Sequence, residues 1–503
     1  MMQSNTYSLV YSTCMFQKDL NRRLGLANLY PCSGPVNRRQ WLQLGALSMG
    51  ALCSGLRPGD DLLAAAKIVR DAQGHPLPEL NDDFSVILFW ANGGPSHLDM
   101  FDMKPEAPME YRGPFRPIQT NVNGMEICEL MPRLSRMADK FTLLRSLYHE
   151  RAEHSGGTNR FLTGYSSVAR NLPRSEFPDL GSVVAKHAEY AENPLPFYVA
   201  NTPSYGAGAA YLGAACEAYM PMPNMETASG ANRYEPVPIY QTGLGVGDLT
   251  ISQGGVVDLG RRREVLNQLD RLSRDVDNTK MMSSMDLFQQ RAAAMLSSSV
   301  AKTAFDLSLE KESTRERYGN THWGKSLLTC RRLVEAGVRF VQCQATFRLK
   351  PETGRTSTWD DHSVNAHIFK SYQEKVPVLD QAVSALIEEL YERGLDKKVL
   401  FIFCGEFGRT PLIRNQDASG RPGRDHWPQA MSVFLSGGGI PTGQVIGATS
   451  KRAEEPVERI MNSNCLLATI YQKFGVDADR SFLNNAGRPV PILTEGEPIR
   501  ELL

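Results

Sequence analysis

Short runs of consecutive apolar residues constrain the fold of this chain more than any other feature. These runs are FSVILFWA at 84–91, TLLRSL at 142–147, PFYVA at 196–200, VRFVQCQA at 338–345, KVLFIFC at 398–404 and MSVFLSGG at 431–438. Continuous apolar runs of this length are typical of strands that are covered on both faces of a sheet. The segments between them predict helices at 180–190, 322–337, 364–393 and 465–475. Helices that alternate with buried strands predict an α/β fold with a mainly parallel central sheet and helices on both faces.

Two long segments do not follow this alternation. Residues 201–256 are rich in Gly, Pro, Tyr and Met and show no period, so we expect an irregular surface excursion of the kind that often shapes a binding site. Residues 261–298 carry two helical patterns whose apolar residues would pack on one side. We predict that both segments belong to a single domain at 84–495, which a short tail at 496–503 follows.

The N-terminal segment has the three parts of a twin-arginine export signal in the expected order. Arg38 and Arg39 precede a weakly apolar run that glycines interrupt, and three alanines follow at 64–66. The run is too short and too rich in glycine to favour a transmembrane helix, and an ordinary amphipathic helix is the alternative interpretation. We predict a leader at 1–66 and a linker at 67–83, with export by the twin-arginine machinery to the periplasm or another extracytoplasmic compartment.

Overall charge and cysteine spacing argue against two classes of function. The 55 Lys and Arg residues balance the 55 Asp and Glu residues, so no global field would attract nucleic acid or an anionic membrane. The six cysteines that follow the predicted leader show no Cys-x-x-Cys spacing, which excludes a zinc ribbon. We expect mostly buried free thiols, although an exported protein also has the opportunity to form disulfides.

Polar and charged side chains gather near the ends of the predicted strands, which is where ligands bind in open α/β sheets. Six of the nine histidines lie in these segments, and scattered solvated histidines would not be expected to cluster in this way. We therefore expect distant segments to meet in one pocket. The residues concerned are His97, Asp99, Asp102, His149, His154, Ser155, Thr158, Arg160, Asp360, Asp361, His362, His367, Glu406, Arg409, Asp425 and His426.

The mixture of carboxylates and imidazoles in these segments predicts a site for a divalent cation such as Mg, Mn, Ca or Zn. A metal ion there would polarise an ester oxygen and lower the pKa of a bound water or hydroxyl. The alternatives are that 360–362 form a helix N-cap and that Asp425 orients a structural histidine. The candidate metal ligands are Asp99, Asp102, Asp361, His362, Glu406, Asp425 and His426.

Two arginines and two hydroxyl groups are the candidates for handling an anionic group. Arg160 and Arg409 would hold a tetrahedral anion through paired N–H groups. Ser155 and Thr158 lie in a Gly-rich turn before a predicted helix, and the backbone amides of a helix start favour an anion. Either hydroxyl would serve as a nucleophile once a metal ion or a base activates it.

Six motifs, taken in order, resemble the exported bacterial family called domain of unknown function 1501. They are ILFWANGGPSHLDMFDMKPEAP, HSGGTNRFLTG, WDDHS, GEFGRTP, GRDHWP and SGGGIPTGQVIGA. The family is placed in the alkaline phosphatase and sulfatase superfamily. The resemblance implies a three-layer α/β/α sandwich with a metal site at the strand ends, in which Asp99 and Asp102 correspond to a first-strand carboxylate pair. The later metal-binding elements of the superfamily would fall near Asp361, His362, Glu406 and His426.

The chain departs from sulfatases at the position of the nucleophile. Sulfatases need a Cys or Ser in a C/S-x-P/A-x-R setting for conversion to formylglycine. Counting back from the LTG motif, that position falls on His154, with Ser155 next, and no cysteine or proline is nearby. Formylglycine chemistry is therefore disfavoured, whereas phosphotransfer through Ser155 or Thr158 and loss of catalysis both stay open. The candidate catalytic residues are Ser155, Thr158 and His154.

Two functions agree with these observations. The first is an exported metal-dependent hydrolase that acts on a phosphate or sulfate ester of a small molecule or a glycan. The second is a non-catalytic periplasmic or surface protein that keeps the fold and binds a sugar, a polyanion or a partner protein. The absent formylglycine signature and the excursion at 201–256 favour the second function.

Overall fold

A sheet of eight strands lies at the centre of the computed structural model, which describes residues 70–77, 80–81, 84–167, 175–188, 195–201, 207–220, 239 and 298–503. These residues belong to one compact unit that comprises Val69–Ile251 and Ser283–Leu503. The strands are β1 (Ser85–Trp90), β2 (Pro117–Gln119), β3 (Glu126–Cys128), β4 (Phe141–Tyr148), β5 (Tyr198–Ala200), β6 (Phe340–Gln344), β7 (Val399–Cys404), β8 (Gly408–Arg409), β9 (His426–Trp427), β10 (Met431–Gly437), β11 (Gln444–Ile446), β12 (Ala448–Thr449), β13 (Pro456–Glu458), β14 (Met461–Asn462), β15 (Ser481–Leu483) and β16 (Pro489–Pro491).

Eight α-helices are present in the described residues, and the longest has 25 residues. They are α1 (Met109–Arg112), α2 (His154–Thr163), α3 (Leu180–His187), α4 (Ser299–Phe305), α5 (Glu312–Tyr318), α6 (His322–Glu335), α7 (Ile368–Glu392) and α8 (Ser463–Phe474). Side-chain caps define several of these helix starts: the Asp179 carboxylate accepts from Ser182 N, and the Asn462 amide oxygen accepts from Cys465 N. Such caps satisfy backbone N–H groups that have no partner inside the helix.

The central sheet is mainly parallel, as the sequence predicts. Its order is β11-β4-β10-β7-β1-β6-β5, with β14 also paired to β4. The strand β1 lies between β6 and β7 and pairs with both in parallel. Within this sheet, β10 runs antiparallel to its two neighbours, β4 and β7.

The two faces of the sheet pack against separate hydrophobic cores. Ile87 and Phe89 of β1 face a core that contains side chains of α6 and α7. Val86 and Leu88 face a second core that contains side chains of α2, α3 and α8. Full burial of an apolar side chain of this size contributes about 1.5–3 kcal/mol to stability. The alternation of β1 residues between two helical layers confirms the predicted α/β/α sandwich.

Parts of the predicted organisation lie outside the described residues, namely the leader at 1–66, most of the excursion at 201–256 and almost all of the helical block at 261–298. The segment predicted as a tail at 496–503 contributes Ile499 and Leu502 to the second core. In the described part of the chain, Cys128, Cys330, Cys343, Cys404 and Cys465 are free thiols and the first four are buried, which agrees with the prediction of mostly buried thiols. Among the described residues, no helix combines the length and the apolar character that a membrane crossing needs.

Candidate metal centre at the strand ends

The carboxyl ends of β1 and β7 lie side by side and bring two loops together. Gly93 follows β1, Glu406 follows β7, and the Gly93 N–H donates a hydrogen bond of 2.8 Å to Glu406 Oε1. Gly93 has a φ of +105°, and a Cβ atom at this position would lie 2.4 Å from Asp360 N. Glycine is required here because both the conformation and the close approach exclude a side chain. Three distant segments therefore meet at this edge of the sheet.

Asp360 lies at the centre of a cluster with three histidines. Its Oδ2 atom is 3.3 Å from His154 Nε2, and its Oδ1 atom is 2.8 Å from His362 Nε2 and 3.0 Å from His426 Nε2. The Nε2 atoms of His362 and His426 are 2.8 Å apart. One ligand atom from each of His154, Asp360 and His426 lies within 4.8 Å of the others, which is a spacing that suits a shared metal ion.

The other ring nitrogen of each histidine has a partner outside the cluster. The Nδ1 partners are Glu406 Oε1 at 2.6 Å for His154, Asp425 Oδ1 at 2.9 Å for His362 and the Ala152 carbonyl oxygen at 2.7 Å for His426. Since carbonyl and ionised carboxylate oxygens only accept hydrogen bonds, each Nδ1 carries a proton. The Nε2 atom of a neutral imidazole then directs its lone pair into the cluster, whereas His154 keeps a proton on Nε2 until the pH exceeds its pKa of about 9 or a cation displaces the proton. This is the arrangement expected of metal-ligating histidines.

The electrostatics of the cluster favour a cation among these groups. Burial lowers the pKa of His154, but its hydrogen bonds to Asp360 and Glu406 outweigh burial and raise the pKa to about 9. For His426, burial prevails over the hydrogen bond to Asp360 and lowers the pKa. Burial opposes ionisation of Asp360, but Arg409 and the three imidazoles hold its pKa far below the usual range. The protein thus keeps an ionised carboxylate at the centre of the cluster.

The metal-free protein should lose stability as the pH rises from 6.5 to about 9. Folding raises the pKa of His154 from 6.5 to about 9, so the folded state keeps a proton that the unfolded state has lost in this window. Protonation of His154 therefore contributes fully to the free energy of unfolding below pH 6.5 and contributes nothing above the folded pKa. The contribution is at most about 3 kcal/mol. Urea unfolding in the presence of a chelator at both ends of the window measures it. His154→Gln should show a flatter profile, and equal profiles for the two proteins would contradict the prediction.

Arg409, which was predicted to bind an anion, is bonded within the protein. Its guanidinium is fully buried. Nε donates to the Gly94 carbonyl at 2.9 Å, Nη1 donates to the Arg424 carbonyl at 3.1 Å, and Nη2 donates to Asp360 Oδ1 at 2.7 Å and to the Gly93 carbonyl. Arg409 therefore lies at the centre, but its N–H donors bind oxygen atoms of the protein instead of an anion.

The second predicted anion-binding residue, Arg160, is engaged elsewhere on α2. Its guanidinium lies 3.2 Å from a Glu150 carboxylate oxygen and 2.6 Å from a Glu495 carboxylate oxygen. It also donates to the Gly164 carbonyl at 2.9 Å and to the Asn464 side chain. Arg160 thus joins α2 to the start of α8 rather than presenting its charge to the histidine cluster.

Three of the predicted metal ligands form ion pairs with basic side chains instead of joining the cluster. A carboxylate whose charge a neighbouring cation already balances is a poor candidate for a metal ligand, and separating such a buried pair is costly. The pairs are Asp99 with Arg424 at 2.8 Å, Asp102 with Lys104 at 2.9 Å and Asp361 with Lys375 at 3.0 Å.

The two candidate nucleophiles lie on α2, which begins at His154. Ser155 directly follows that histidine, and its residue is 7% exposed. Thr158 lies one helical turn after His154 and is 1% exposed, and its buried Oγ1 has no hydrogen-bond partner among the described residues. Ser155 is therefore the better placed of the two hydroxyl groups for contact with a ligand.

A comparison with known protein families identifies the family to which this chain belongs. The model of the family described as "Protein of unknown function (DUF1501)" matches residues 83–503. The chain belongs to the DUF1501 family. The matched range contains the whole candidate metal centre of this DUF1501 protein. A comparison with curated proteins finds no match.

Several solved structures have a limited similarity to this DUF1501 protein. The lipoteichoic acid synthase LtaP from Listeria monocytogenes has 9% identity and a TM-score of 0.34, over 81% of this chain and 76% of that one. The PsFucS1 sulfatase from Pseudoalteromonas sp. has 11% identity and a TM-score of 0.35, over 84% and 72%. The C-terminal periplasmic domain of EcEptC from Escherichia coli, solved in complex with Zn, has 12% identity and a TM-score of 0.33, over 81% and 90%. Similarity of this extent decides neither the activity nor the ligand of the DUF1501 protein.

Proposed function

We propose that this DUF1501 protein is a metal-dependent hydrolase that acts on a phosphate or sulfate ester outside the cytoplasm, the location that the predicted leader at 1–66 implies. The proposal depends on one observation above all: three imidazoles direct Nε2 towards the ionised Asp360 while an acceptor behind each ring holds its Nδ1–H. Such a convergence of lone pairs and negative charge is stabilised by a cation. Its place at the carboxyl ends of parallel strands is where α/β proteins bind ligands.

The chemistry of the donor atoms fits a borderline transition metal. Three imidazole nitrogens and one carboxylate favour Zn or a related ion over Ca and Mg, which prefer oxygen ligands. Glu406 and Asp425, predicted from the sequence as ligands, would instead orient His154 and His362 through their Nδ1–H groups. The second Glu406 oxygen, Oε2, is buried without a hydrogen-bond partner among the described residues, so it is also available to a cation. The proposed ligands are His154, Asp360, His362 and His426.

The exposure of the three histidines and the position of Ser155 indicate how an ester would reach the centre and be attacked. A bound metal ion would polarise an ester oxygen and lower the pKa of a bound water. The side chains of His154, His362 and His426 are 31%, 15% and 21% exposed, so the centre opens to solvent and an ester can reach it. Ser155, next to His154, is the side chain that we propose as nucleophile, and Thr158 is the buried alternative.

Metal analysis followed by ester screening tests the proposed function. The full chain, loaded with Zn²⁺ or Mn²⁺, should retain the ion after gel filtration and hydrolyse an aryl phosphate, phosphodiester or sulfate. His426→Asn should lower metal affinity and hydrolysis by at least about 100-fold, because it removes a ligand rather than an outer partner. The matched control His322→Asn replaces an exposed histidine at the start of α6 and should change neither. A protein that binds no divalent ion, and whose His426→Asn variant behaves as wild type, would end the proposal.

A non-catalytic binding protein is the second candidate function. It is favoured by the finding that both predicted anion-binding side chains, Arg160 and Arg409, are bonded within the protein. Such a protein would keep the metal ion and bind a sugar, a polyanion or a partner without cleaving it. Metal binding in the absence of ester hydrolysis would select this function, and substitution of Ser155 would then have no effect on binding.

A further inference from the structure

We propose that Arg409 is a positioning residue that sets the place of both Asp360 and Glu406 in the candidate metal centre, an inference that rests on the function proposed above. The sequence suggests an anion-binding role for this arginine, but the structure surrounds its side chain with acceptors of the protein itself. Because the guanidinium is fully buried, its four hydrogen bonds serve the fold of the site rather than an external ligand.

The guanidinium joins three segments that are far apart in the chain. Through Nε and Nη2 it binds the consecutive carbonyl groups of Gly94 and Gly93, in the turn that follows β1. Through Nη2 it also binds Asp360 Oδ1 at 2.7 Å, and through Nη1 it binds the Arg424 carbonyl at 3.1 Å, two residues before His426. One planar group thus fixes the relative positions of the β1 turn, the Asp360 loop and the His426 strand.

Hydrogen bonds connect Arg409 indirectly to each of the three histidines. Asp360 Oδ1, which accepts from Arg409, is the oxygen that faces His362 and His426. Gly93, whose carbonyl accepts from Arg409, donates its N–H to the Glu406 oxygen that holds His154 Nδ1. Displacing the guanidinium would therefore move the carboxylates of both Asp360 and Glu406.

Lysine cannot reproduce these contacts although it keeps the positive charge. Its ammonium group is a point charge with three donors, whereas arginine presents a rigid planar fork. The acceptors around Arg409 are four oxygen atoms on three segments. A lysine would satisfy some of them and leave the remaining buried carbonyl groups without a donor, which carries a desolvation penalty.

Metal affinity and the spectrum of the Co²⁺-substituted protein test the inference. In the full chain, Arg409→Lys should lower Zn²⁺ affinity by about 10- to 100-fold, the range for loss of a partner behind the ligands, and should change the Co²⁺ absorption bands. In Arg409→Ala, guanidinium ion at non-denaturing concentration should restore part of the affinity. The matched control is Arg331→Lys, since Arg331 is equally buried but pairs with Glu310 and Glu389 in a helical layer. It should lower the melting temperature and leave the affinity and the spectrum unchanged.

The outcomes separate this inference from the proposed function. Wild-type affinity and a wild-type Co²⁺ spectrum in Arg409→Lys would show that Arg409 supports the fold alone, and the metal centre would stand. A wild-type protein that binds neither Zn²⁺ nor Co²⁺ would remove the proposed function and this inference together. If Arg409→Ala does not fold, the comparison of Arg409→Lys with Arg331→Lys decides the question.

Discussion

Asp360→Asn should abolish metal binding and ester hydrolysis while the protein stays folded. The substitution removes the negative charge that faces three imidazoles and Arg409, and it introduces an amide group whose N–H donors oppose a cation. We expect the loss of metal affinity to exceed the roughly 10- to 100-fold that removal of an outer partner causes. Titration with Zn²⁺, together with circular dichroism to establish folding, measures the effect.

The matched control for this variant is Asp417→Asn, which replaces an exposed carboxylate on the loop before His426. Its metal affinity should equal that of the wild type. A folded Asp360→Asn variant that binds Zn²⁺ as tightly as the wild type would show that the histidine cluster is not a metal centre.

Lys375→Met should destabilise the fold by about 3–5 kcal/mol, the usual effect of breaking a buried ion pair by removing one partner. Lys375 and Asp361 are both fully buried, and the ammonium lies 3.0 and 3.1 Å from the two carboxylate oxygens and 2.6 Å from the Thr358 carbonyl. Burial lowers the pKa of Lys375, which Asp361 opposes. Without the lysine, Asp361 would be a buried carboxylate with Ser371 as its remaining side-chain donor. Urea unfolding of the metal-free protein measures the loss.

Two further variants identify the cause of that loss. Lys370→Met removes an exposed lysine from the same helix and should change the free energy of unfolding by less than about 0.5 kcal/mol. Adding Asp361→Asn to Lys375→Met should recover part of the stability, because the unpaired charge is then absent. A Lys375→Met protein as stable as Lys370→Met would mean that the ion pair contributes nothing.

The sheet and the meeting of distant segments were predictable, because both depend on local patterns. Continuous apolar runs identified β1, β4, β6, β7 and β10, and the polar residues after them identified the edge of the sheet that carries the cluster. The roles of adjacent carboxylates were not predictable. Asp360 faces the histidines whereas Asp361 faces Lys375, and only the position of α7, which carries that lysine, distinguishes the two.

The partners of the arginines and the residues behind the histidines were likewise not predictable from the sequence. Arg424 lies 325 residues from the Asp99 carboxylate that it binds, so no spacing rule links the two. Glu406 and Asp425 were predicted as metal ligands, and their contacts with Nδ1 atoms in the structure depend on ring orientation. Residue types and order predict which groups gather, and packing decides which atoms face the centre.

The proposed ligands are at positions 154, 360, 362 and 426, and Arg409 joins the segment of Asp360 and His362 to the segment of His426. These ligands come from three separate stretches of the chain, so the proposed coordination shell would be complete only after all three have met. The segments meet where β1 and β7 end side by side, so the central sheet determines the geometry of the proposed shell. Under the proposed function, a metal-free protein that is already folded would therefore bind its ion without a change of fold.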